Sequence, residues 1–353
     1  MLFDRPIADS HVHIDRPFDE KKLAEMLEEM REIGVCDLAA QSLAAHFKYD
    51  IAQNLAVFAL KRDCKDITVR AFASLHERDI YSDIPYEKQA EALLDMGADG
   101  FKFIQMKPDV RKHVGKGICH ENYDKVLSLF EERGTPMTLH TADPDSFWDI
   151  NRVNPNAVKR GWYYGDGSYL SYNEHYEEVF RMLDKHKRLN IILAHFFFLD
   201  ENHEEAVRVM EKYPSVRFDL TPHPRMYQSF SKNPELWREF FIKYSDRIIF
   251  GTDSNNERES NKRIYQTVYY ALTHSEKEFL MPAYYMQDMM KTLDLPEQVV
   301  DRITYKNYLS LVGESPAPLN ESLIGIAAKR LLSDISGKGN EIIEKWIKEK
   351  FNL

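Results

Sequence analysis

The chain has 353 residues, 43% of them hydrophobic and 29% charged, an ordinary globular composition that excludes a fibrous or low-complexity protein. A formal net charge of −10 and a pI near 5.8 argue against nucleic acid or an anionic membrane as a partner. No apolar run approaches the roughly 20 residues of a membrane span, and the start lacks the basic and apolar regions of a signal peptide. Cys36, Cys64 and Cys119 are too few and scattered for a disulfide framework or a cysteine zinc site, so a reduced, cytoplasmic setting is expected.

Short apolar runs predict strands over residues 7–14, 35–42, 67–75, 100–105, 136–140, 190–195, 216–222 and 247–253. Between them, stretches of helical period cover residues 19–33, 51–62, 86–96, 121–133, 174–187, 202–213 and 234–244. The second of these carries Ile51, Leu55, Phe58 and Ala59 on one face. Alternation of this kind with eight strands is the pattern of a (β/α)8 TIM barrel, an α/β fold. An open doubly wound sheet is the competing architecture, and it lacks support because no Gly-rich phosphate loop follows the first strand. After Asp253, residues 280–293, 296–312 and 319–351 read as further helices. No low-complexity linker sets them apart, so residues 1–353 read as one barrel domain with residues 314–353 as a helical C-terminal extension.

The first strand ends in His11-Val12-His13. Residues two apart on a strand share a face, so the two imidazoles make half of a divalent-metal site. Three later strands also end in a candidate ligand: Thr138-Leu139-His140, Leu193-Ala194-His195 and Gly251-Thr252-Asp253. In a barrel, C-terminal strand ends converge on one mouth. Imidazole and carboxylate there suit Zn2+ first, with Mn2+, Fe2+ or Co2+ as alternatives. Asp253 has a competing role as a helix N-cap, but as a carboxylate beside the ion it can also take the proton of an attacking water.

The set Asp9-Ser10-His11-Val12-His13, Gly100-Phe101-Lys102, His140, Ala194-His195 and Gly251-Thr252-Asp253, with Ile303-Thr304-Tyr305-Lys306-Asn307-Tyr308 as a closing element, resembles the amidohydrolase superfamily of metal-dependent barrels. It is most similar to the branch containing aminocarboxymuconate-semialdehyde-decarboxylase-like enzymes and related hydrolases, over roughly residues 1–313. The resemblance implies that His11, His13 and His140 hold the metal, with Asp253 as ligand and general base and His195 as a ligand or polarising group. It also implies a choice at Lys102: binuclear relatives bridge two metals with a carbamylated lysine at this strand, whereas the mononuclear branch has an unmodified one. One metal per chain, with Lys102 as a substrate or structural cation, is the expectation.

The basic residues Lys107, Arg111, Lys112 and Lys116 follow the fourth strand, and Arg225 and Tyr227 follow the seventh. Lys107 and Arg225 lie nearest their strand ends and are expected to attract a small anionic substrate. The connection of residues 141–172 is rich in aromatics, including Trp162 and Tyr164, and reads as a substrate-covering lid or a contact between subunits. A homo-oligomer is expected. The function that fits is a metal-dependent hydrolase acting on a lactone, ester or amide of a small carboxylic acid. A metal-dependent decarboxylase, a sugar-acid isomerase and a non-catalytic metal-binding protein are the alternatives, and the motifs do not separate the enzymes.

Overall fold

The computed structural model describes residues 3–353 apart from 16, 47–50, 78–82, 224, 274–278 and 281–288. Parallel strands β1 (Ile7–His13), β2 (Val35–Gln41), β3 (Thr68–Ala73), β4 (Gly100–Met106), β5 (Pro136–Thr141), β6 (Asn190–Leu193), β7 (Val216–Asp219), β8 (Ile248–Ile249) and β9 (Ser254–Asn255) form one sheet. Its order runs β8-β7-β6-β5-β4-β3-β2-β1-β9. β8 pairs with β7 and β9 pairs with β1. Because only residues 250–253 separate them, they are two halves of one extended segment, and that segment closes the barrel.

A helix follows each strand: Glu20–Ile33, Gln53–Asp63, Tyr86–Asp95, Glu121–Arg133, Tyr172–Lys185, His203–Lys212, Pro234–Lys243 and Lys262–Thr273. Tyr172–Lys185 shows why. Ser171 and Glu174 form a reciprocal capping box at its start, and Tyr176, Val179, Met182 and Leu183 bury one stripe against the sheet. Inside the barrel, Ala8, Ala39, Phe72, Ile192 and Ile249 pack with Tyr308 and Leu311 from Asn307–Val312. Arg70, fully buried, binds Asp37 at 3.0 Å and donates to the carbonyls of Val312 and Glu314, so the segment after the barrel plugs its N-terminal end.

The expected helical extension is present as Glu321–Ile335 and Glu341–Phe351. Ile324, Ala328, Leu331 and Ile335 join the main core at helical spacing. Its approach crosses Gly97, where a Cβ would lie 2.5 Å from the Pro318 carbonyl and φ is +105°. Three expectations need correction. The eighth strand breaks at 250–253 instead of running through Asp253. Short helices Pro108–Val114 and Met226–Lys232 replace stretches read as loop. The helix expected over 280–293 lies largely outside the described residues, and its described ends, Phe279–Leu280 and Met289–Met290, pair as antiparallel strands.

Candidate metal centre

β1 delivers His11 and His13 to the mouth. Its register against β2 shifts between Asp9 and Val12, an irregularity of the kind that re-aims side chains, and the two imidazoles converge with their Nε2 atoms 3.1 Å apart. Asp253 sits in the turn between β8 and β9 with φ +58°. That left-handed backbone is held because its N–H donates to the His11 carbonyl at 2.9 Å. Gly251 permits the approach, since a Cβ there would lie 2.6 Å from Thr221 Oγ1.

Hydrogen-bond partners fix which nitrogens are bare. His13 Nδ1 lies 3.0 Å from the Gln41 carbonyl, which only accepts, so Nδ1 carries a hydrogen and, on the neutral ring an ion requires, Nε2 is the lone pair. His11 Nδ1 lies 2.8 Å from Asp219 Oδ2, with the same result at its Nε2. Asp253 Oδ1 stands 3.2 Å from His13 Nε2 and 3.9 Å from His11 Nε2. Three acceptors thus face one another, all within 4.8 Å. Two nitrogens each about 2.05 Å from an ion are about 2.9–3.3 Å apart for angles from square to tetrahedral, and the observed spacing falls in that range. The donor set fits a divalent cation.

Electrostatics agree. Burial, with Lys102 and His13 beside it, holds His11 well below its ordinary value, so the ring is neutral. Burial opposes the charge on Asp253, but the hydrogen bond and charge of His13, with Arg258 beside them, more than offset it and hold the carboxyl well below the usual range. Lys102 Nζ is buried 2.7 Å from His11 Nε2. Burial pushes it down to about 8, against Asp219 and Asp253.

His140 and His195 form a second facing pair. His195 Nδ1 lies 3.3 Å from the Thr221 carbonyl and His140 Nε2 lies 3.0 Å from the Ala142 carbonyl. Their remaining nitrogens, His195 Nε2 and His140 Nδ1, are therefore bare and 3.2 Å apart. The His195 and His11 rings are 5.5 Å apart. His140 lies in this pair rather than in the compact group of His11, His13 and Asp253.

The expected substrate residues are placed unevenly. Lys107 Nζ binds Asp143 at 2.6 Å and sits 4.8 Å from the Trp162 ring centre. Tyr164 donates to the same carboxylate at 2.7 Å. Burial would raise Asp143, but Lys107 and His140 hold it below the usual range. Tyr227 gives its hydroxyl to the Leu220 carbonyl at 2.6 Å. Arg225 is exposed on a groove of about 610 Å³ that also touches Phe198, Asp200 and His223. The 141–172 connection is not structureless. It holds the short helices Asp145–Trp148 and Pro155–Lys159 and a core of Phe147, Val153, Ala157 and Tyr164.

Two features escape the sequence reading. Asp219 ends β7 in the structure, but the apolar run read as strand continues to 222, so the strand-end rule passes over it. The turn His195-Phe196-Phe197-Phe198 is left-handed throughout, with φ between +53° and +58°, and no glycine marks it. Its rings fan apart: Phe196 meets Phe218, Phe230 and Trp237, Phe197 meets Tyr176, and Phe198 meets His195 and His223. This packing holds a backbone that costs about 1–2 kcal/mol per residue.

Among solved structures, an uncharacterized TIM-barrel protein from Bordetella bronchiseptica is similar with a TM-score of 0.54 at 13% identity, over 88% of this chain and 100% of that one. 4-Oxalomesaconate hydratase from Rhodopseudomonas palustris aligns with a TM-score of 0.52 at 10% identity, over 94% of this chain and 98% of that one. A protein assigned as a 2-pyrone-4,6-dicarboxylic acid hydrolase from Acinetobacter baumannii, with citric acid bound, gives 0.52 at 9% identity, over 87% and 99%. These likenesses establish the TIM-barrel fold. No curated sequence matches significantly. No described helix is long and apolar enough to cross a membrane. A family model for amidohydrolases matches residues 8–308, from the first barrel strand through the segment that plugs the barrel, and the chain belongs to that family.

Proposed function

We propose that the chain is a metal-dependent hydrolase that directs an activated water at a lactone, ester or amide of a small carboxylic acid. The observation that carries this reading is the trio of bare donors, His11 Nε2, His13 Nε2 and Asp253 Oδ1. A divalent ion bound there, Zn2+ before Mn2+, Fe2+ or Co2+, lowers the pKa of water from about 15.7 toward about 7. Asp253 is the base. Its Oδ1 faces the histidines and its Oδ2 faces Arg258 at 3.7 Å. His140 supplies the next ligand and His195 orients the substrate beside the ion. Lys102 and the exposed Arg225 are the cations assigned to an anionic substrate, whereas Lys107 is paired with Asp143. Trp162, Tyr164 and Tyr227 shape the mouth.

Support for water as a reactant comes from two neighbours, one named 4-oxalomesaconate hydratase and one assigned as a 2-pyrone-4,6-dicarboxylic acid hydrolase. Decarboxylation of an unsaturated or cyclic acid remains the competing reaction, distinguished by release of CO2. A second reading of metal content rests on the bare pair His140 Nδ1 and His195 Nε2: a second ion there, with Lys102 modified as a bridge. A single barrel domain with the 314–353 extension, a homo-oligomeric assembly and a cytoplasmic location complete the proposal.

The test has two arms. A His11→Ala, His13→Ala double variant is expected to purify without metal while the barrel still folds, and a full metal complement would remove the proposed centre. The metal-loaded protein is then screened on lactones, esters, amides and unsaturated acids, with hydrolysis expected and CO2 release alone counting against it.

A further inference from the structure

We propose that Asp219 is the positioning residue that decides which nitrogen of His11 faces the metal centre. The inference rests on the metal reading above. Asp219 ends β7 and is fully buried. Its Oδ1 accepts the backbone N–H of His195 at 2.7 Å and of Thr221 at 3.1 Å. Its Oδ2 is left to His11 Nδ1 at 2.8 Å. Thr221 Oγ1 lies 3.0 Å from the same nitrogen but can donate or accept, so it does not choose a tautomer. The carboxylate does: an oxygen without hydrogen opposite Nδ1 keeps the ring hydrogen there, and Nε2, which faces the Lys102 ammonium at 2.7 Å, keeps the lone pair an ion needs. Because Oδ1 also grips the N–H of His195, whose φ is +58°, one side chain sets both the His11 ring and the turn carrying His195.

Asp219→Asn separates this role from mere support. The amide oxygen can keep both backbone N–H bonds, while the amide nitrogen, a donor, stands where Oδ2 was. A donor opposite Nδ1 drives the ring hydrogen to Nε2 and blocks coordination. In chelator competition the variant is expected to bind Zn2+ and Co2+ about 10–100-fold more weakly, with an altered Co2+ visible spectrum and an unchanged melting temperature of the metal-free protein. Thr221→Val, which introduces no donor, is expected to lose less affinity than Asp219→Asn. Wild-type affinity and spectrum in Asp219→Asn would overturn the inference, as would a loss accompanied by a collapse of metal-free melting. A wild-type protein that binds neither ion would instead refute the metal reading, and this inference with it.

Discussion

Phe198 lies flat against His195, with ring centroids 5.2 Å apart and planes inclined by 25°, while its own backbone is left-handed at φ +53°. The ring that screens the second histidine pair from the groove is thus carried on a conformation that side chains disfavour. Glycine is normally less stable than alanine in ordered structure by roughly 0.5–1 kcal/mol. Here the order should invert. Phe198→Gly is expected to be more stable than Phe198→Ala by about 1 kcal/mol, since only glycine adopts this φ freely. Denaturant midpoints of the two variants check it, and the usual order would show that the turn is unstrained.

Asp253 should matter to turnover more than to folding. Asp253→Asn keeps the shape and a weak ligand oxygen but removes the base, so the rate on the substrate found by screening should fall about 10²–10⁴-fold. Its melting temperature should stay near wild type, because the change deletes a charge at the mouth and no core packing. Near-normal turnover with metal retained would take Asp253 out of the mechanism.

Elemental analysis should find one ion per chain, and His140→Ala should lower its occupancy without abolishing it. Near two ions per chain, with Lys102 carrying added mass, would establish the second reading instead. His195→Ala then becomes the discriminating variant: in a one-ion site it keeps the metal, and in a two-ion site it loses about half.

His175 gives a pH signature of its own. It is buried, and neither ring nitrogen has a hydrogen-bond partner among the described residues. Burial pushes its pKa down from 6.5 to about 4. As pH falls, the unfolded chain therefore takes up this proton first. The stability that neutral His175 contributes is complete above pH 6.5 and is lost progressively toward pH 4. The difference is on the order of 3 kcal/mol. Urea midpoints of wild type and His175→Leu should diverge across that window, the variant gaining relative to wild type as acid is added. Parallel curves would show that the ring finds a partner when charged.

The gathering of the strand-end histidines was legible because a strand repeats every two residues and a barrel brings its strand ends together, so position in the run foretold position in space. The eight-strand count follows from the same apolar periodicity. Asp219 was hidden by its own strand: Val216-Arg217-Phe218-Asp219 reads as structure, and nothing local says that the carboxylate will meet an imidazole 208 positions away. The left-handed turn after β6 was hidden for the opposite reason. Its conformation is imposed by where three phenyl rings find cavities, and propensity alone would have asked for glycine. Lys107 was read as a free cation because Asp143 and Tyr164, which bind it, come from the next βα connection.

The seam between the first strand and the 250–253 turn also has a consequence for biosynthesis. Ser10 donates through both its N–H and its hydroxyl to the Phe250 carbonyl, 240 residues away, and the Phe250 N–H in turn donates to Ile303. Contacts of such sequence separation are slow to form because the loop entropy is spent before they return anything. During synthesis, β1 therefore leaves the ribosome long before its second edge has a partner. His11 and His13 are translated long before Asp253, so the carboxylate reaches them only after the 250–253 turn has emerged. If the proposed centre takes an ion, one captured earlier would be held by two imidazoles alone, and loading would follow closure of this seam.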